Sequence, residues 1–192
     1  MKYALVFFTI LLVSAKASAE SPSSMFFEAI KAYCGQAFAG KVVKGNASDE
    51  SMRQQLLVMH VRACSDTELK IPFHVGEDRS RTWVIRKTAS GMTLQHDHRH
   101  QDGSADKITL YGGHTANAGS STLQSFPADQ YSKDLFIAHQ MPASTANTWT
   151  VEIIPGEVYR YSLSRAGREF MVDFDLTKPI TPPVVPWGHD AG

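Results

Sequence analysis

The sequence predicts an all-β fold: an antiparallel meander closing into an up-and-down β-barrel of about nine or ten strands, with a short N-terminal helix. Three observations predict it. Apolar and polar residues alternate with period two over most of the chain, the mark of strands with one face in the core and one in water. Gly, Pro, Asp and Ser clusters punctuate these runs at the short spacing of a barrel or sandwich. No β-α-β rhythm, internal repeat or Gly-rich phosphate loop is present. Short strands joined by tight turns close most naturally into a barrel; a two-sheet sandwich is the competing architecture.

Residues 1–19 have the layout of a secretory signal. Lys2 is followed by the apolar run Ala4-Leu-Val-Phe-Phe-Thr-Ile-Leu-Leu-Val13, and Ala17-Ser18-Ala19 offers small residues for cleavage before Glu20. The apolar run is about half the length of a membrane span, and no later stretch approaches that length, so no integral membrane span is expected. Lys2 and Lys16 are the only charges in this leader, leaving 17 basic and 19 acidic residues, net −2, in the rest. That balance argues against nucleic acid and against a basic membrane patch. A secreted or periplasmic location follows. The remaining chain divides into one β domain, 20–178, and a Pro-rich tail, 179–192, expected to be extended on the surface. Nothing in it defines an oligomeric state.

The only two cysteines, Cys34 and Cys64, lie in the exported part. An oxidising compartment would pair them, a crosslink worth roughly 3–4 kcal/mol in the chain-entropy model.

From the N-terminus, Met25, Phe26, Ala29, Ile30 and Tyr33 recur at helical spacing, with Ser23 or Ser24 as cap. A strand candidate follows at 37–43. In the next run Leu57, Met59, Val61 and Ala63 share a face. Leu69, Ile71, Phe73 and Val75 then alternate with Glu68, Lys70, Pro72 and His74, which directs His74 to water. Pro72 cannot donate to a ladder, so that strand is an edge or is bulged there. Trp83 and Ile85 form the next inward pair. Ile108 and Leu110 form another, which also directs His114 inward. Trp149, Val151 and Ile153, then Tyr159, Tyr161 and Leu163, then Phe170, Val172, Phe174 and Leu176 complete the set. The segment 127–146 lacks alternation and is expected to be non-strand structure over one mouth.

A leading helix, then Gly35-Gln-Ala-Phe38-Ala-Gly40, then a β meander resembles the calycin barrels of the lipocalin kind. Lipocalins place Trp after the early Gly; this chain has Phe38 at another offset. The stretch His96-Asp-His-Arg-His-Gln-Asp-Gly103 is also similar to one carried by a family of exported bacterial proteins without an assigned role.

That stretch holds the one unusual constellation. Read as a strand, Met92, Leu94, His96, His98 and His100 share a face, opposite Asp97 and Arg99. Two readings remain open. In the first, the barrel holds a small-molecule ligand without catalysis, in an interior lined by Trp83, His96, His98, Trp149, Tyr159 and Tyr161. In the second, His96, His98 and His100, with His114 from a neighbouring strand, bind a transition metal such as zinc or copper, since imidazoles two apart on a strand project in parallel. The cofactor is otherwise unknown. A resemblance to cupins stops at His-x-His: no Glu follows within the usual few residues, Asp102 being the nearest acid after the run, and no second motif is visible. Arg79 and Arg81 could clamp a ligand carboxylate or form a solvated turn with Asp78. Gly-x-Ser-x-Gly is absent, and Asp173 and Asp175 alternate to the wet face, so neither hydrolase chemistry nor paired-carboxylate catalysis has a candidate site.

Overall fold

The computed structural model describes residues 20–189; the segment 1–19, expected to be a cleavable leader, lies outside them. Helix α1 (Pro22–Lys31) starts where Ser21 accepts the Ser24 amide (3.2 Å) and Pro22 occupies the first turn. It buries Phe26, Phe27 and Ile30, while Met25, expected inside, is exposed. The strands are β1 (Ala37–Lys44), β2 (Leu57–His60), β3 (Ala63–Cys64), β4 (Glu68–Val75), β5 (Asp78–Thr88), β6 (Gly91–His98), β7 (Tyr111–His114), β8 (Leu123–Pro127), β9 (Thr148–Ile154), β10 (Val158–Arg165) and β11 (Arg168–Ile180). The short helix α2 (Glu50–Arg53) follows β1, and α3 (Gln130–Ala138) follows β8, with a 3-10 turn at Pro142–Ala146. The non-alternating segment before β9 is thus helical.

All pairings are antiparallel, and the order is β7-β6-β5-β4-β2-β1-β11-β10-β9-β8, with β3 beside β4. This nearly closed barrel is the calycin-like architecture, and it decides against the sandwich. The chain's ends meet in the middle of the order, where β1 lies beside β11. Closure happens between β7 and β8, through a narrow seam in place of a ladder. Gly113 bridges Ala128, the Asp129 amide donates to the Gly112 carbonyl (3.1 Å), and Ser132 Oγ both accepts from and donates to Gly112. A side chain at 113 would collide with the Pro127 carbonyl across the seam, and one at 112 with the Leu94 carbonyl of β6, so Gly113 lets the two edges approach and Gly112 lets β7 lie close to β6.

Inward residues pair in register across neighbouring strands: Ile71 with Trp83, Trp83 with His96, Leu163 with Trp149, and Tyr159 with Phe174. Pro72 belongs to an interior strand. It sits opposite the break between β2 and β3, where β4 has no ladder partner on that side, so the missing donor is harmless. Cys34 and Cys64 form a disulfide that ties the end of α1 to β3.

At the end holding the β5–β6 and β9–β10 turns, α1 seals the barrel. Lys87 Nζ bonds Glu28 (2.8 Å) and lies 4.3 Å from the Phe27 ring centre, while Tyr33 Oη accepts the Gly156 amide (2.6 Å).

Two alternation readings fail. Leu110 adopts φ +58°, a costly conformation for a bulky side chain. The strand therefore begins only at Tyr111, in the opposite phase: Tyr111 and Gly113 pair with inward His96 and Leu94, and His114 pairs with outward Thr93. His74 does point outward, yet it is buried. Beyond β11 the tail forms a strap across that outer face. It leaves from Ile180, beside Ala37 of β1, and reaches β6, where His189 Nε2 lies 3.2 Å from Asp97 Oδ2. On the way Val185 and Trp187 bond to Arg79 of β5. Among the described residues no helix is long and apolar enough to cross a membrane.

Candidate functional site

The unsealed half of the barrel contains a cavity of about 550 Å³, within the usual range for small-molecule sites. Its walls come from strands far apart in sequence. Cross-strand neighbours Arg81 and His98, then Trp83 and His96, descend one side from the rim. Trp149 and Tyr161 face them from β9 and β10, Tyr111 fills the side towards the seam, and Phe136 of α3 covers part of the opening.

Aromatic rings dominate its depth. Trp83 is stacked between Phe73 (centroids 4.8 Å, planes 12° apart) and Tyr161 (4.4 Å, 23°). His96 stacks on Tyr111 (4.7 Å, 13°). Such contacts favour flat, polarizable ligands.

His96 is 4% exposed, and burial lowers its pKa to about 3, so the ring is neutral near pH 7. Its Nδ1 lies 3.0 Å from the Tyr111 carbonyl oxygen and its Nε2 lies 2.7 Å from Tyr161 Oη. Both nitrogens are engaged within the protein. His98 is half-buried, and burial together with Arg81 lowers its pKa to about 4; its Nε2 meets Tyr111 Oη at 3.2 Å. Burial raises the hydroxyl of Tyr111 to about 12 and that of Tyr161 well above its ordinary value, so both stay protonated.

Charge is confined to the rim. Arg81 pairs with Asp78 (2.6 Å), and Arg168 grips Asp49 through both Nη atoms (2.6 Å each). Arg165 bonds the Asn147 amide oxygen (2.8 Å). Asp106, also on the rim, accepts the Ile108 amide (2.7 Å).

Of the residues read from the sequence as ligand-binding, Trp83, His96, His98, Trp149 and Tyr161 converge on this cavity. Tyr159 lies behind the wall, fully buried between Trp83 and Phe174, with its hydroxyl unpartnered among the described residues. The four histidines read as metal ligands are not brought together. His100 is exposed near Asp106 (3.8 Å), and His114 bonds Thr88 on the outer surface at the sealed end (2.8 Å). No group of three His, Cys, Asp or Glu side chains suited to a metal ion occurs among the described residues. With both nitrogens of His96 already bonded, the cluster does not fit zinc or copper.

Sequence reasoning missed Phe73, Tyr111, Phe136, Arg165 and Arg168. Phe73 was within reach, since alternation places it inward, and Arg81, one of the two arginines read from the sequence as a carboxylate clamp, does stand at the cavity rim. Tyr111 was hidden by the backbone of Leu110, and Phe136 by its place on a helix.

No protein-family model matches the chain, and no curated protein or solved structure matches it either. The likeness to calycins is therefore one of architecture, and the His-rich stretch brings no family with it.

Proposed function

We propose that this protein binds a small organic ligand, largely aromatic and carrying an anionic group, inside the open half of its barrel. The carrying observation is the cavity itself: closed below by α1, walled by stacked rings, and rimmed by Arg81, Arg165 and Arg168 against Asp49 and Asp106. Apolar walls supply affinity, and guanidinium groups at a desolvated rim orient an anion. Of the three arginines, Arg165 is the one whose bond is to a neutral amide, which leaves its charge for a ligand. We place the protein outside the cytoplasm, supported by the Cys34–Cys64 disulfide.

The test uses 1-anilinonaphthalene-8-sulfonate, a flat aromatic anion, with the purified mature chain. Saturable 1:1 binding with quenching of Trp83 and Trp149 is expected. Leu163→Trp, which fills the cavity from its wall, should abolish binding while the chain stays folded. Binding that survives this change, or stoichiometric zinc or copper with no organic molecule in native mass spectra of the purified protein, would refute the proposal.

A further inference from the structure

At Tyr161 the cavity's depth offers a ligand an acceptor, and this follows from one hydrogen-bond chain. His96 Nδ1 faces the carbonyl oxygen of Tyr111 at 3.0 Å. A carbonyl can only accept, so Nδ1 must carry the proton. The ring is buried against Tyr111, Trp149 and Tyr161 and holds one proton, which leaves Nε2 bare. At 2.7 Å from Tyr161 Oη, a bare Nε2 can only accept, so the phenol must donate to it. The proton of Tyr161 is thereby committed to the protein, and its oxygen turns lone pairs alone towards the cavity that Tyr161 lines. Trp83 stacks on Tyr161 with its indole N–H near the phenol oxygen, which still leaves that oxygen a lone pair for the cavity.

Resting on the reading of this cavity as a ligand site, we infer that the ligand's buried end carries an N–H or O–H group received by Tyr161 Oη. The His96–Tyr161 pair is then a specificity device. An analogue lacking the donor leaves a buried acceptor unpaired and loses affinity. Donor-only guanidinium groups stand at the rim and an acceptor stands in the depth, so the ligand binds in one direction.

Two measurements test this. Nitrogen-15 NMR of the histidine rings at pH 7 should show His96 as the Nδ1–H tautomer with Nε2 unprotonated; an Nε2–H tautomer or a charged ring overturns the inference without reference to any ligand. Titration with indole-3-propionate and its N-methyl analogue should then show about tenfold or more weaker binding of the methylated compound, and Tyr161→Phe should erase most of that difference. Equal affinities for the two indoles overturn the donor requirement while the ligand site stands. Binding of the naphthalene sulfonate but of neither indole also overturns it. Failure of all three probes overturns the ligand site as well.

Discussion

Arg168 holds Asp49 with two bonds of 2.6 Å, joining residues 119 apart in sequence. The pair connects the β10–β11 hairpin to the β1–β2 connection, and both members line the cavity mouth. Asp49 Oδ2 also accepts the Asn46 amide (2.8 Å), so its carboxylate organises the turn after β1 as well. Side chains 17% and 8% exposed make this partly buried pair costly to break from one side.

Asp49→Ala should lower stability by about 2–3 kcal/mol, the usual loss for buried hydrogen bonds to a charged group. The double variant Asp49→Ala/Arg168→Met should be less destabilised than the sum of its singles, because no stranded guanidinium remains. Urea unfolding of the three variants measures this.

The seam prediction concerns Gly113. A methyl group there meets the Pro127 carbonyl, and the β7–β8 edge has no ladder with which to absorb a shift. Gly113→Ala should cost about 1–3 kcal/mol as overpacking. Amide exchange should accelerate at Asp129, whose N–H crosses the seam to Gly112, more than in the β10–β11 ladder. Uniform exchange along the barrel would contradict a weak seam.

Acid sensitivity comes from buried imidazoles. His74 is lowered to about 4 by burial and by Arg79, and His96 to about 3 by burial. Both folded values lie below the ordinary 6.5, so the unfolded chain binds more protons in between. The stability they contribute is complete above about pH 6.5 and is lost as pH falls towards 4 and 3. Each adds a slope of up to about 1.4 kcal/mol per pH unit. Melting temperature should therefore begin to fall near pH 6.5, before most carboxylates titrate. In His74→Leu that decline should be clearly shallower; an unchanged profile would show that His74 takes no part.

The strap supplies the fourth prediction. His189 and Arg99 hold the Asp97 carboxyl well below the usual carboxylate range although burial opposes them. Trp187 and Val185 engage Arg79, and outward residues on the strands between, Val58, His74 and Thr82, are buried. A chain ending at Ile180 should lose stability, and amide protection should fall in β5 and β6 but not in β9 and β10. Wild-type protection throughout would mean that the strap only rests on the surface.

Alternation by itself determined most of this barrel. A period of two does not depend on partners, so β4, β9, β10 and β11 were readable from Leu69, Trp149, Tyr159 and Phe170 onward, and the inward direction of Trp83, His96, His98, Trp149 and Tyr161 came with them. A lone pair of cysteines in a chain with an export-like leader was enough to indicate the disulfide. Periodicity reports which face a residue occupies, but not what covers that face. Tyr111 and His114 exchanged sides because one residue, Leu110, takes a left-handed conformation that no local pattern announces. Outward His74 and Asp97 are buried because the tail returns over them. Tyr159 lies behind the cavity while Tyr161, two residues on, lines it, a difference set by how deeply the rings of Trp83 and Phe174 fill the barrel. The charged rim is likewise tertiary: Arg81, Arg165 and Arg168 reach one mouth because antiparallel pairing brings two separate turns, β4–β5 and β10–β11, to the same end.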